Sequence, residues 1–156
     1  MIEIEIPGYA AFQFEHLVLD VNGTIAEDGK PIYGVAGRLK KLRAKLAIHM
    51  ITADTHGEQE VIDRLLNLKA VRIPPQNQLR AKLDYIEGLG TGKVFAIGNG
   101  ANDADMLAHA AIGVAVVGPE GAAAESLLRA KVVAPDIRAA LDLLLHPKRL
   151  IATLRR

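Results

Sequence analysis

Cysteine is absent from the 156 residues, so the chain has no disulfide framework, no thiolate nucleophile and no zinc–thiolate site. An excess of one charge is missing too. The formal net charge is +1, which gives no bulk attraction toward nucleic acid or a membrane surface. No apolar run approaches the ~20 residues that a membrane-spanning helix needs. The opening Met1-Ile2-Glu3-Ile4-Glu5-Ile6 alternates apolar and acidic residues, unlike the basic-then-apolar layout of a signal peptide. These absences predict a cytoplasmic protein with neither nucleic acid nor membrane as partner. What is present, 50% hydrophobic and 24% charged residues, is the composition of a globular domain with a real core.

Strand and helix patterns alternate along the chain. Ile2, Ile4 and Ile6 share one face of a strand, Pro7-Gly8 turns it, and Phe12 and Phe14 complete an N-terminal hairpin over residues 1–15. Core strands are expected at 17–20, 48–52, 70–73, 94–97, 112–117 and 131–133. Helices are expected at 34–46, at 58–68 with Val61, Leu65 and Leu68 inward, and at 76–89, 103–109, 120–129 and 136–145. Pro147 opens a short basic tail, 147–156. Alternation at this spacing predicts one α/β domain, 1–156, with a doubly wound, mostly parallel sheet in three layers.

Two strands end on loops suited to chemistry. Leu17-Val18-Leu19-Asp20-Val21-Asn22-Gly23-Thr24 delivers a carboxylate to the strand's C-terminal end, where open α/β sheets keep their sites. Val94-Phe95-Ala96-Ile97-Gly98-Asn99-Gly100-Ala101-Asn102-Asp103 repeats the arrangement: apolar strand, glycine loop, carboxylate. Between them, Thr52 ends a strand at the same edge, where its hydroxyl can bond a phosphate oxygen, and Lys82 can bring an ammonium toward that phosphate. Each feature alone has an ordinary explanation: Asn-Gly as a turn dipeptide, a strand-end Thr as a helix N-cap, an acid at a helix start complementing the dipole. In this order, at strand ends, they describe a phosphoryl-transfer site.

These residues resemble the signature of the haloacid-dehalogenase-like hydrolase superfamily: Asp-X-Asp-X-Thr, then Thr or Ser, then Lys, then Gly-Asp-Gly-X-Asn-Asp. The resemblance runs from about Leu17 to Leu145. It is closest to the phosphorylation domain of P-type ATPases and their small soluble relatives, with Thr52-Ala53-Asp54 similar to a Thr-Gly-Asp motif. It implies a magnesium-dependent phosphatase in which Asp20 attacks phosphate to form an aspartyl-phosphate that water cleaves. Gly23, Thr24, Thr52, Ala53 and Lys82 would hold phosphate, and Asp20, the Asn22 carbonyl, Asn99 and Asp103 would hold Mg2+, Asp103 directly or through water. Gly98, Gly100 and Asn102 would support the loop.

Two positions depart from that pattern. Asn22 stands where phosphatases of the superfamily carry the acid/base Asp, and an amide cannot shuttle a proton. Hydrolysis is expected to be slow, having lost a helper typically worth about 10²–10⁴-fold. Asn99 stands where a metal-binding Asp is expected, so magnesium should bind weakly until phosphate joins it. The stretches 25–51 and 53–81 leave no room for a cap domain. The site is therefore expected to be open, acting on a phosphorylated substrate or completed by a neighbour in a homo-oligomer. The alternative reading is a non-catalytic module of the same fold that binds magnesium and phosphate for regulation.

Overall fold

Buried runs with no polar face, such as Leu17–Leu19, Val94–Ile97 and Ile112–Val116, need a helix on each side of the sheet that contains them. The computed structural model, which describes residues 1–54 and 57–156, provides that arrangement. Its elements are β1 (Ile2–Ile6), β2 (Ala10–Phe14), β3 (His16–Asp20), β4 (Ala26–Glu27), β5 (Lys30–Pro31), α1 (Val35–Leu42), β6 (Ala47–Thr52), α2 (Gln59–Leu66) and β7 (Val71–Arg72). They continue with α3 (Gln78–Leu89), β8 (Val94–Gly98), α4 (Ala104–His109), β9 (Ile112–Val116), α5 (Ala124–Arg129), β10 (Val132–Ala134), α6 (Ile137–Leu145) and α7 (Pro147–Leu154).

Six strands pair in the order β10-β9-β8-β3-β6-β7, all parallel. Side chains alternate across the sheet. Leu17, Leu19, Ile97 and Val114 pack with α1, α6, α7 and the hairpin. Val18, Ala96 and Ala115 pack with Leu83 and Ile86 of α3 and Met106 and Leu107 of α4. From the central β3 the chain winds outward through β6 and β7, then returns to β8 on the other flank. The strand order therefore reverses between β3 and β8, and a crevice opens at their C-terminal ends.

The N-terminal hairpin is antiparallel, with Ile2 opposite Phe14, and its inward Ile2, Ile4 and Ile6 are buried. Within the basic tail, Pro147–Leu154 form helix α7, which packs against the core. Pro147 starts it, a position where the missing N–H costs nothing. Leu150 is fully buried, the Arg156 amide donates to the Pro7 carbonyl at 3.1 Å, and the Arg156 guanidinium lies 4.8 Å from the Tyr9 ring centre. Among the described residues no inserted cap domain interrupts the core; the segment after β3 holds only the two-residue strands β4 and β5 before α1.

Three expected helices differ in the structure, and the first, α1, ends at Leu42, four residues short of 46. In α2 the buried face is Gln59, Ile62 and Leu66, whereas Val61 and Leu65 are 49% and 60% exposed. Both pairs have i, i+4 spacing, so periodicity could not choose between them; Asn67, in the left-handed conformation, ends the helix before Leu68. The expected helix at 120–129 begins only at Ala124, and Gly118 and Gly121 take positive φ of 48° and 75°, making 117–123 a turn-rich loop.

At the opposite, N-terminal end of β3, His16 Nδ1 lies 3.1 Å from His49 Nε2 of β6, and His49 Nδ1 lies 2.8 Å from the Tyr85 hydroxyl of α3. Burial and the neighbouring His16 hold His49 below its ordinary imidazole range.

Candidate active site

A cleft of about 420 Å³ lies at the crevice, lined by residues that include Asp20, Asn22, Thr52, Lys82, Asn99 and Glu120. At its floor Lys82 is held between two carboxylates. Its Nζ donates to Asp20 Oδ1 at 2.7 Å and to Asp103 Oδ1 at 2.6 Å, and Lys82 is only 1% exposed. A buried ammonium needs such partners, because an isolated charge away from water is prohibitively costly. The lysine pKa is raised: loss of water pulls it down, but Asp20 and Asp103 outweigh that effect.

Asp103 is fully buried. Its Oδ2 accepts from the backbone amides of Asn99 and Gly100, each at 3.0 Å. Gly98 permits this approach, since a Cβ there would lie 2.5 Å from Asp103 Cγ. Both Asp103 oxygens thus accept hydrogen bonds, and the residue positions Lys82 and the loop. Ser126 Oγ ties the same loop by donating to the Gly100 carbonyl, and Asn102 Nδ2 donates to Gln78 Oε1 at 2.6 Å.

Asp20 has the opposite balance. Burial and the Asp103 charge raise its pKa to about 6, against the pull of Lys82 and Thr24. Its Oδ2 lies 3.1 Å from Thr24 Oγ1, which is in turn 3.2 Å from Asn99 Oδ1. Two oxygens, one of them charged, thus flank a single buried hydroxyl, with Asn22 on the cleft wall beside them. Oxygen-only donors of this kind suit a hard cation such as magnesium. The set fits in chemistry but is poor in charge: no group of three or more acidic, His or Cys side chains able to hold a metal occurs among the described residues.

The remaining expected residues fall around this centre. Thr52 is 2% exposed, lines the cleft with Ala53, and accepts from the Asp54 amide at 3.1 Å. Asp54 Oδ2 accepts from the Gln59 amide at the start of α2. Gly23, with φ of 78°, donates to the Ala26 carbonyl at 2.9 Å, closing the turn after Asp20. The structure therefore gathers Asp20, Asn22, Thr52, Lys82, Asn99 and Asp103 at one rim. Sequence reasoning missed Gln78 and Glu120. The Gly118-Pro119-Glu120-Gly121 turn signal was the available clue to the latter.

No family model matches the chain. Solved structures share its fold. A Legionella pneumophila protein described as a HAD superfamily (subfamily III A) hydrolase has a TM-score of 0.70 at 18% identity, over 90% of this chain and 86% of that one. The 3-deoxy-D-manno-octulosonate 8-phosphate phosphatase of Moraxella catarrhalis, in complex with magnesium, phosphate and the sugar acid, has a TM-score of 0.66 at 19% identity, over 91% and 94%. The cobalt-bound counterpart from Haemophilus influenzae has a TM-score of 0.67 at 15% identity, over 92% and 94%. The fold is that of the HAD superfamily hydrolases. In sequence, uncharacterized protein MJ0073 of Methanocaldococcus jannaschii is 46% identical over 79 residues, 48% of this chain and 85% of that protein. Uncharacterized protein MJ0072 of the same organism is 49% identical over 39 residues, 25% and 89%. The chain belongs to the family of these archaeal proteins.

Proposed function

We propose that the protein is a magnesium-dependent phosphatase that works through an aspartyl-phosphate at Asp20. The observation that carries this reading is the Lys82 ammonium clamped between Asp20 and Asp103 beneath an open cleft. One Asp20 oxygen is thereby fixed to Lys82 and the other accepts from Thr24, and the Thr52 hydroxyl lies on the same rim. Asp20 attacks phosphorus in line with the leaving oxygen. Lys82 remains beside the nucleophile and offsets charge as the carboxylate becomes an ester, and Thr52 holds a phosphate oxygen. Asp20, the Asn22 carbonyl and Asn99 would hold magnesium, which supplies charge neutralisation of the phosphoryl group. The phosphatase from Moraxella, bound to magnesium and phosphate on the same fold, supports the assignment, as does the P-type-ATPase-like arrangement of Thr52-Ala53-Asp54 and the Gly98–Asp103 loop.

A second reading, a regulatory module that binds magnesium and phosphate without turnover, draws on the two amides at Asn22 and Asn99. The test that separates them is incubation with magnesium and either acetyl phosphate or p-nitrophenyl phosphate. Turnover that Asp20→Asn abolishes supports the phosphatase. Binding of beryllium fluoride with no turnover and no phosphorylated Asp20 rejects it in favour of the module.

A further inference from the structure

Hydrolysis of a phosphate ester with a poor leaving group needs a proton for the departing oxygen, and hydrolysis of the acyl phosphate needs one removed from water. On the phosphatase reading, on which this inference rests, a group of the cleft must do both. Asn22, Asn99, Asn102, Gln78 and Thr52 cannot. Among the described lining residues four ionise: Asp20, Asp54, Lys82 and Glu120. Asp20 is the nucleophile, Lys82 is locked between two carboxylates, and Asp54 accepts from the start of α2. Glu120 remains, exposed and without a hydrogen-bond or ion-pair partner among the described residues.

Its placement is specific. The 117–123 loop lies across the turn that follows Asp20. A Cβ on Gly23 would meet the Glu120 carboxyl carbon at 2.9 Å, its Oε2 more closely still, and Asn99 Nδ2 at 2.8 Å. The bare Gly23 therefore lets the carboxyl group rest on the nucleophile loop, one residue from Asn22. Gly118 approaches the same turn, with a would-be Cβ 3.2 Å from the Gly23 carbonyl.

Asn99 fastens the loop twice. Its Nδ2 donates to the Gly121 carbonyl at 3.3 Å, and its carbonyl accepts from the Ala123 amide at 2.8 Å. A carboxylate at position 99 could not donate to Gly121 and would repel Glu120. The amide at 99 and the acid at 120 are thus parts of one arrangement.

We propose that Glu120 is a catalytic residue of this site, the acid that protonates the leaving oxygen and the base that then activates water, with Asn99 as its positioning residue. In the first step Asp20 forms a bond to phosphorus, the ester P–O bond breaks, and its electron pair leaves on the alcohol oxygen, which takes the Glu120 proton. In the second, a water oxygen bonds to phosphorus and passes a proton to the Glu120 carboxylate. The Asp20–phosphorus bond breaks, phosphate departs, and both carboxyl groups return to their starting states.

The experiment compares wild type with Glu120→Gln on p-nitrophenyl phosphate, whose leaving group needs no proton, and on glycerol 2-phosphate, whose leaving group does. It is joined by intact-mass detection of phosphorylated Asp20 after acetyl phosphate. Glu120→Gln should lose about 10²–10⁴-fold in kcat/KM on the alkyl ester but not on p-nitrophenyl phosphate, because that constant ends at release of the alcohol. Its kcat should fall on both, and the phosphoprotein should accumulate from acetyl phosphate while beryllium fluoride still binds. The Asn22→Asp change made in the Glu120→Gln protein should recover part of the lost rate. Equal loss of kcat/KM on both esters, no loss on either, or a wild type that hydrolyses only the p-nitrophenyl ester would overturn the role of Glu120 alone. A wild type that neither turns over nor phosphorylates Asp20 would overturn the phosphatase reading and this role with it.

Discussion

Strands β3 and β6 and helix α3 carry a polar cluster at each end, built on opposite terms. At the C-terminal rim Asp20, Lys82 and Asp103 are charged and nearly sealed from water. At the other end His16, His49 and Tyr85 form a half-buried chain of hydrogen bonds, in which burial disfavours the charged form of His49. Lys82 and Tyr85 are three residues apart on one helix, so a single face of α3 serves both. The charged end holds an ionised carboxylate, the proposed nucleophile, against its own desolvation. The neutral end is ordinary polar packing. Stability is surrendered at the first and conserved at the second, as expected where a fold keeps reactivity.

The two ends should oppose each other in pH dependence. Without a divalent cation, the folded pKa of Asp20 is about 6 against an ordinary 3.8. The folded protein therefore holds that proton more tightly, and the associated stability is present below 3.8 and lost as pH rises through about 6. His49 is shifted below its ordinary 6.5, so its stability is present above 6.5 and lost as pH falls.

The largest expected effect is that of Asp20→Asn. Turnover of p-nitrophenyl phosphate should fall to background, while the cation-free protein gains of order 1–3 kcal/mol above pH 6, read by urea denaturation. Lys82→Met should cost about 3–5 kcal/mol at neutral pH, because two buried carboxylates lose their cation; the same titration should show the deficit shrinking as pH falls. At the far end, His49→Phe should cost about 1–3 kcal/mol and flatten the loss of stability below pH 6.5, seen in thermal melts across pH. Tyr85→Phe should cost only about 0.5–1 kcal/mol and leave phosphorylation of Asp20 by acetyl phosphate unaltered. A substantial loss there would show that the ends are coupled through α3.

The charged end was legible in the sequence because strand-end position and residue chemistry are both local. Asp20 follows an apolar run, Thr52 ends another, and Asp103 follows a glycine loop. The division of labour between the two carboxylates was not legible. Only the fold shows that Asp103 Oδ2 takes two backbone amides while its Oδ1 accepts from Lys82. Glu120 was hidden by its own neighbourhood. An acid ahead of an alanine-rich stretch reads as a helix start, whereas two glycines at positive φ delay the helix to Ala124. The neutral end left no trace, since His16 and His49 are 33 residues apart and meet only through the β3–β6 pairing.

The two Asn-Gly pairs, held so differently, should age at different rates. Succinimide formation needs the glycine nitrogen to swing onto the asparagine side chain. At Asn99 that nitrogen is tied to buried Asp103 and the amide to Gly121, whereas Asn22 is solvent-exposed on an open turn. Stored protein should therefore deamidate at Asn22 first, acquiring a carboxylate beside Asp20 with time.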